Sequence, residues 1–386
     1  MRILFLHTFY SNAGGEDAVF SQELNLLKTY HDVRTLTFKN KPGLVGGVQF
    51  ITSIWNVFAS KRLKRAIMDI EPDVVHLHNW HFASGPLIIR TASKYNIPVV
   101  VTLHNYRLLC PSATLLDGDQ VYLESLKSVF PWKGIRKGLY RKSTFQTFWL
   151  ALIMYFHAKI GTWNMVTKYI TLTEFSKKLF LQNNLGITKS KFLVKPNFVS
   201  RLPTNELTRS SCFLFLGRLS TEKGIKVLLE AFKTINCNLS IGGSGDYKEE
   251  ILLQTSLFKN MRYLGSLNAQ EVRSCLGECS ALVFPSIWFE GMPMTILEAF
   301  SLGTPVIASR IGNMSEIIVD GFNGLLFNVG DPDDLRIKLE YWDNLNESEK
   351  SRFSLNARQT YEDLYSPEKN LNMLLDIYKE AQLSLP

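Results

Sequence analysis

The sequence is short of several features whose absence is informative. Its five cysteines, Cys110, Cys212, Cys237, Cys275 and Cys279, are odd in number, scattered, and form no C-x-x-C pair. That pattern argues against a disulfide framework and a zinc site, and it favours a reducing, cytosolic compartment. Long apolar runs are also missing. The longest, Phe148 to Phe156 (FWLALIMYF), falls far short of the roughly 20 residues that cross a bilayer. The opening MRILFLHTFY lacks the layout of a secretory signal. The expectation is a soluble chain, or one that lies on a membrane surface. There is no Walker A loop, no G-x-S-x-G elbow, no repeat of 20 to 50 residues and no low-complexity tract.

What is present points to two domains. A chain of 386 residues with 46% hydrophobic content exceeds what one compact core normally holds. Its net charge of +8 is unevenly spread. Residues 1–200 carry 25 Lys+Arg against 11 Asp+Glu, and residues 201–386 carry 18 against 24. A strongly basic first half suits an anionic partner, although two unrelated surfaces would look the same.

Short apolar runs alternate with amphipathic stretches. Ile3–Leu6, Asp73–Leu77, Pro98–Leu103 and Tyr169–Leu172 form one series. Phe213–Leu216, Leu239–Ile241, Ala281–Phe284 and Pro305–Ala308 form a second. Runs without in/out alternation, separated by helices, indicate parallel strands covered on both faces. The expected class is therefore α/β, with two Rossmann-like, doubly wound domains facing a cleft. The boundaries read as 1–195 and 196–365, followed by a helix over 366–386 that packs back on the first domain. Ligands of such sheets bind beyond the carboxyl ends of the strands.

Those ends carry the candidate chemistry. After FLFL come Gly217, Arg218, Lys223 and Gly224. Two cations beside a helix start suit a diphosphate, and a solvated basic turn is the alternative. Gly242, Gly243 and Gly245 follow the next strand and would let a ligand approach the backbone. After ALVF comes FEGMPMTILEAF. There Pro293 suits the first helical position and Gly303 the end of the helix. Glu290 then falls in the loop and Glu298 in the second helical turn, while the amides of Gly291 to Thr295 stand at a helix N-terminus. Carboxylates accept two hydrogen bonds and so suit sugar diols.

In the first half, the loop Asn12–Asp17 and His104, just after a strand, are the candidates for polar contact or proton transfer. His76 and His78 have no evident carboxylate partner and read as structural. Asp117-Gly118-Asp119 and Asp331-Pro332-Asp333 read as turns rather than metal sites. Residues 48–65 and 131–159 combine basic and aromatic side chains, which suits either helices on anionic lipid or core helices with a basic turn.

These residues resemble retaining GT-B glycosyltransferases of the family 4 type over nearly the whole chain. The motifs are G-R-x4-K-G (Gly217 to Gly224), E-G-M-P-x-T-x-x-E-A (Glu290 to Ala299), G-T-P-V-I-A (Gly303 to Ala308) and D-G-x-N-G (Asp320 to Gly324), in family order. GGEDAVF and TLHNYRLLCPSAT look like the branch that builds bacterial surface polysaccharides. The resemblance implies that Arg218 and Lys223 hold the donor diphosphate, Glu298 the ribose, and Glu290 the donor sugar. It adds contacts from Gly15, Gly243, Leu264, Gly291, Met292, Met294 and Thr295, and sets His104 beside the reacting sugar. It further implies a nucleotide-sugar donor, a glycan or lipid-linked acceptor, no metal or other cofactor, no nucleic acid, and a place at the inner membrane face. Two departures stand out: Asn105 follows His104 where Asp is common, and Phe198 follows Asn197 where Gly is usual. A nucleotide-sugar epimerase of the same fold, or a non-catalytic glycan-binding partner, remain the alternatives.

Overall fold

The structure, a computed structural model, describes residues 1–11, 14–182, 186–201 and 209–384. Asn12 and Ala13 of the N-terminal glycine loop lie outside the described residues. The chain forms two compact units. One comprises Met1–Asp117, Tyr122–Asn197 and Pro367–Pro386, the other Gly118–Val121 and Phe198–Ser366.

The first unit holds a six-stranded parallel sheet of β1 (Arg2–Phe9), β2 (Asp32–Lys39), β3 (Val74–Leu77), β4 (Val99–Leu103), β5 (Lys168–Thr171) and β6 (Phe192–Val194), in the order β2-β1-β3-β4-β5-β6. Every pairing is parallel. β3, β4 and β5 are buried along their whole length, which suits the valine-rich runs of β3 and β4 and the Tyr169-Ile170 centre of β5. The second unit repeats the plan with β7 (Phe213–Leu216), β8 (Leu239–Gly242), β9 (Met261–Gly265), β10 (Leu282–Phe284), β11 (Val306–Ser309) and β12 (Gly324–Phe327), in the order β9-β8-β7-β10-β11-β12. The strand order reverses between β1 and β3 in the first unit and between β7 and β10 in the second. Crossover helices diverge at those points and leave a crevice at the strand ends.

The helix Pro367–Leu383 belongs to the first unit. Leu371, Leu374, Ile377, Tyr378 and Ala381 join Ile3, Phe5, Phe20 and Val33 in one core, and each large side chain buried there contributes on the order of 2 kcal/mol. The break between units falls after Asn197, two residues later than the sequence pattern suggested. Lys195 is the reason. It is 1% exposed and ion-paired to the equally buried Glu23, while the Pro196 carbonyl accepts a hydrogen bond from Asn370 Nδ2 at 2.7 Å. Residues 195–196 are thus tied into the first unit, and Phe198, 2% exposed, opens the second.

The two basic aromatic segments behave differently. The helix Thr144–Lys159 buries Leu150, Ala151 and Ile153, so much of FWLALIMYF is core. The helix Gly43–Thr52 buries none of its residues.

Candidate functional site

In the second unit, glycine brings the loops after β7, β8 and β10 together. Gly224 has φ +72, and a Cβ there would stand 1.9 Å from the Pro285 carbonyl oxygen. Gly243 has φ +140, and its Cβ would stand 1.9 Å from the Gly217 carbonyl oxygen. No other residue type fits either place without moving backbone. The β7 turn is thereby pressed against its neighbours on both sides.

Within this packing Lys223, on a single 3-10 turn (Thr221–Lys223), reaches Glu290. Its Nζ lies 2.6 Å from Glu290 Oε1, and Ser286 Oγ donates to the same oxygen at 2.7 Å. The ammonium also stands over the rings of Phe284 (5.4 Å) and Trp288 (5.6 Å). Burying an ion pair costs desolvation energy, and the serine hydroxyl and the two rings offset part of that cost. Asn313 Nδ2 donates to the backbone carbonyls of Glu290, at 2.5 Å, and Gly291, which holds the loop in place. Arg218 does not join this group. It is paired with Glu222 at 3.1 Å, with a side chain 66% exposed, so the pair adds little stability and the guanidinium can turn to another anion.

Pro293 caps the following helix instead of occupying its first turn. Its ψ of 112 is extended, and the helix runs Met294–Ser301, with Gly303 (φ +68) beyond its end. The first amides of any helix lack carbonyls within it, and those of Met294 and Thr295 stand at this helix's start, just after the loop of Glu290. Glu298 lies one turn further on, half-buried. Burial raises its pKa above the ordinary value, against the pull of Arg273. Its carboxylate accepts no hydrogen bond among the described residues. Gly243 donates its N–H to the Gly265 carbonyl at 2.8 Å. Leu264 precedes that glycine on the edge strand β9, two strands away from β7. Asp331 is a helix cap rather than part of a free turn, accepting from the amides of Asp333 and Asp334.

In the first unit, Gly15 opens the helix Gly15–Lys28 and Gly14 precedes it. Asp17 accepts from the Gly14 amide at 3.0 Å, and its other oxygen meets His7 Nε2 at 2.7 Å. The loop after β1 is therefore anchored to β1 itself. Burial pushes the His7 pKa down to about 4 against the hydrogen bond its ring donates to Asp17, which leaves the ring neutral.

His104, just past β4, has His78 as its partner, Nε2 to Nδ1 at 2.9 Å. His78 Nε2 in turn lies 3.0 Å from Glu23 Oε2, off the line of an ideal hydrogen bond. His78 thus does have a carboxylate partner, supplied by the helix Gly15–Lys28 and beyond the reach of a sequence pattern, while His76 has none among its bonded neighbours. The donor atoms of Glu23, His76 and His78 lie within 4.8 Å of one another. They are engaged by other groups: His76 by Tyr378 Oη (2.7 Å) and Thr102 Oγ1 (2.8 Å), Glu23 by Lys195. Asn105 does not orient His104. Its Nδ2 donates to Glu16 Oε1 at 2.5 Å, and its Oδ1 accepts from the Arg107 amide at 3.0 Å. An aspartate there would face a second carboxylate. Sequence reasoning missed Glu23, Lys195, Ser286 and Asn313. Of these, only Ser286 carried a signal, its place two residues past a strand.

Two family models divide the chain. The Glycosyltransferase Family 4 model matches residues 24–201, and the Glycosyl transferases group 1 model matches residues 201–360. The chain belongs to the GT-B glycosyltransferases of the family 4 type. An uncharacterized glycosyltransferase of Methanocaldococcus jannaschii is 34% identical to this glycosyltransferase over 170 residues, 43% of this chain and 47% of the relative. The O-antigen chain mannosyltransferase C of Escherichia coli is 25% identical over 179 residues, 45% of this chain and 47% of the relative. The chain spans about half the length of the curated relatives it matches. Among solved structures, Anabaena HepE in complex with UDP superposes with a TM-score of 0.68 at 17% identity, over 98% of this chain and 100% of HepE. At that identity the likeness is one of fold.

Proposed function

We propose that this glycosyltransferase moves a sugar, with retention of anomeric configuration, from a nucleoside diphosphate donor to an acceptor hydroxyl. Lys223 and the amides at Met294 and Thr295 meet the leaving diphosphate, and Arg218 turns onto it. Glu290 accepts from the sugar hydroxyls and Glu298 from the ribose. The observation that carries this reading is the Lys223–Glu290–Ser286 unit at the strand-order reversal, one helical turn from the unbonded carboxylate of Glu298. Glu290 is committed to Lys223 and Ser286, so a front-face reaction, in which the departing phosphate takes the acceptor's proton, fits better than a covalent carboxylate intermediate. Protein cations and helix amides carry the charge in this scheme, so no metal is required, and EDTA should leave the rate unchanged.

HepE was solved with UDP and with UDP-glucose, and relatives act on O-antigen or lie in capsule regions. These likenesses support a UDP- or GDP-sugar and a lipid-linked acceptor of surface polysaccharide. Thermal-shift measurements with UDP, GDP and ADP test the donor class. The reading expects one of them to raise the Tm, and it fails if none does.

The acceptor reading includes contact with an anionic bilayer. Among the described residues, no helix is long and apolar enough to cross one. The helix Gly43–Thr52 nonetheless presents Leu44 (92% exposed) and Val48, which share a groove with the exposed Phe145. Lys61, Arg62, Lys64 and Arg65 stand exposed on the adjoining helix Val57–Ile70. Apolar side chains beside a basic cluster suit such a surface. Sedimentation with anionic vesicles should show binding at low salt that weakens at high salt, and no binding at low salt refutes it.

A further inference from the structure

The side chains behind His104 make a line of close polar contacts that ends at its ring: Lys195, Glu23, His78, His104. All four come from different elements, and none is more than 9% exposed. Lys195 closes the first unit's run of strands, Glu23 sits on the helix Gly15–Lys28, and His78 and His104 follow β3 and β4.

We propose that Glu23 and His78 are positioning residues that hold His104 in one tautomer, protonated on Nε2, with Nδ1 presented as a hydrogen-bond acceptor. This rests on the reading of His104 as a neighbour of the reacting sugar.

The direction of the line follows from charge. Burial alone would push the Glu23 carboxyl up, but the Lys195 ammonium and His78 hold it well below the usual carboxylate range. Glu23 is therefore an anion and can only accept. Lys195 already balances that charge, so a second buried cation at His78 would stand uncompensated. Glu23 Oε2 lies 3.0 Å from His78 Nε2, off the line of an ideal hydrogen bond, so a single ring proton belongs on Nε2, beside the carboxylate, and Nδ1 is left with a lone pair. His104 Nε2, 2.9 Å away, must then carry the proton. Burial, followed by the neighbouring His78, lowers the pKa of His104 well below its ordinary value, so that proton is its only one. Nδ1 of His104 meets no protein partner among the described residues and is not sealed from solvent. An imidazole fixed this way accepts from a hydroxyl and cannot donate to a phosphate oxygen, which ties it to the sugar rather than to the diphosphate.

The test is nitrogen NMR of the full chain labelled with 15N-histidine, read beside steady-state kinetics with the donor. In the native protein His104 Nδ1 should resonate as a bare nitrogen and Nε2 as a protonated one. His78→Asn offers an amide oxygen to His104 Nε2 and should keep that tautomer. His78→Phe offers nothing, so both tautomers should appear, with kcat down roughly tenfold or more and KM for the donor within about threefold. A protonated Nδ1 in the native protein overturns the proposal, as does a His78→Phe variant with unchanged spectrum and kcat. If the spectra follow the expectation but His104→Ala transfers sugar at the native rate, the role given to His104 fails while the tautomer lock stands.

Discussion

Replacing Glu290 by Gln should separate the grip on the sugar from the grip on the diphosphate. In the native protein Lys223 Nζ and Glu290 Oε1 are 2.6 Å apart, with side chains 15% and 8% exposed. Removing one partner of a fully buried ion pair costs about 3–5 kcal/mol. Here the cost is smaller: Gln keeps an amide oxygen for Ser286 and Lys223, and the ammonium keeps the rings of Phe284 and Trp288. Roughly 1–3 kcal/mol should be lost, which lowers the Tm of the second unit by roughly 3–10 °C. Nucleoside diphosphate alone should bind as tightly as before or more tightly, because Lys223 is no longer neutralised. Transfer should suffer more. A charge-assisted hydrogen bond to a sugar hydroxyl, about 1.5–3 kcal/mol, corresponds to roughly 10- to 150-fold in kcat/KM. Calorimetric titration with the nucleotide and a nucleotide-release assay with the donor sugar measure the two effects. Transfer within twofold of native, or nucleotide affinity lost together with transfer, refutes the division of labour.

Acid should weaken the first unit. Burial pushes His7 and His157 down to about 4 and His76, His81 and His104 well below 6.5. Their folded values lie below the unfolded one, so their contribution is complete above pH 6.5 and is lost as pH falls, by up to about 1.4 kcal/mol per group per pH unit. Urea midpoints at pH 7.5 and 5.5 should differ in that sense, and equal midpoints count against the buried neutral rings. Asn105→Asp should set a second carboxylate against Glu16, whose own pKa burial already raises. Like charges push both values further up, so a cost of about 1–3 kcal/mol should be present at pH 8 and shrink towards pH 5; a pH-independent cost would refute this. Glu298, with a raised pKa when free, should lose protons as the ribose hydroxyls bind its ionised form. Calorimetry in two buffers of different ionisation enthalpy, repeated down a pH series towards the ordinary carboxylate value, should show proton release, and identical enthalpies throughout would count against its contact with the ribose.

The buried centre of each sheet was legible in the sequence, and its margins were not. The eight runs read as strands include every interior strand of both sheets, because strands covered on both faces are continuously apolar. The four others, β2, β6, β9 and β12, are the edges. β2 (DVRTLTFK) alternates buried and exposed residues, β6 is three residues long, and β12 opens on Gly324. Residue type and strand-end position were enough to single out Lys223, Glu290 and Glu298. The partners of those residues were not legible, since Asn313 reaches the Glu290 loop from 23 positions away and Lys195 reaches Glu23 across 172. Nor could a pattern show that Asn105 belongs to Glu16 or that His78 stands behind His104. Such pairings depend on which strands lie side by side.

In the proposed reaction, Lys223 of the second unit grips the nucleoside diphosphate. Isothermal titration of the nucleotide that raises the Tm, into native protein and into Lys223→Ala, addresses it directly. The native chain should bind measurably, and the variant should lose roughly tenfold or more in affinity, the worth of one charge-assisted contact. Equal affinities for the two proteins would contradict it.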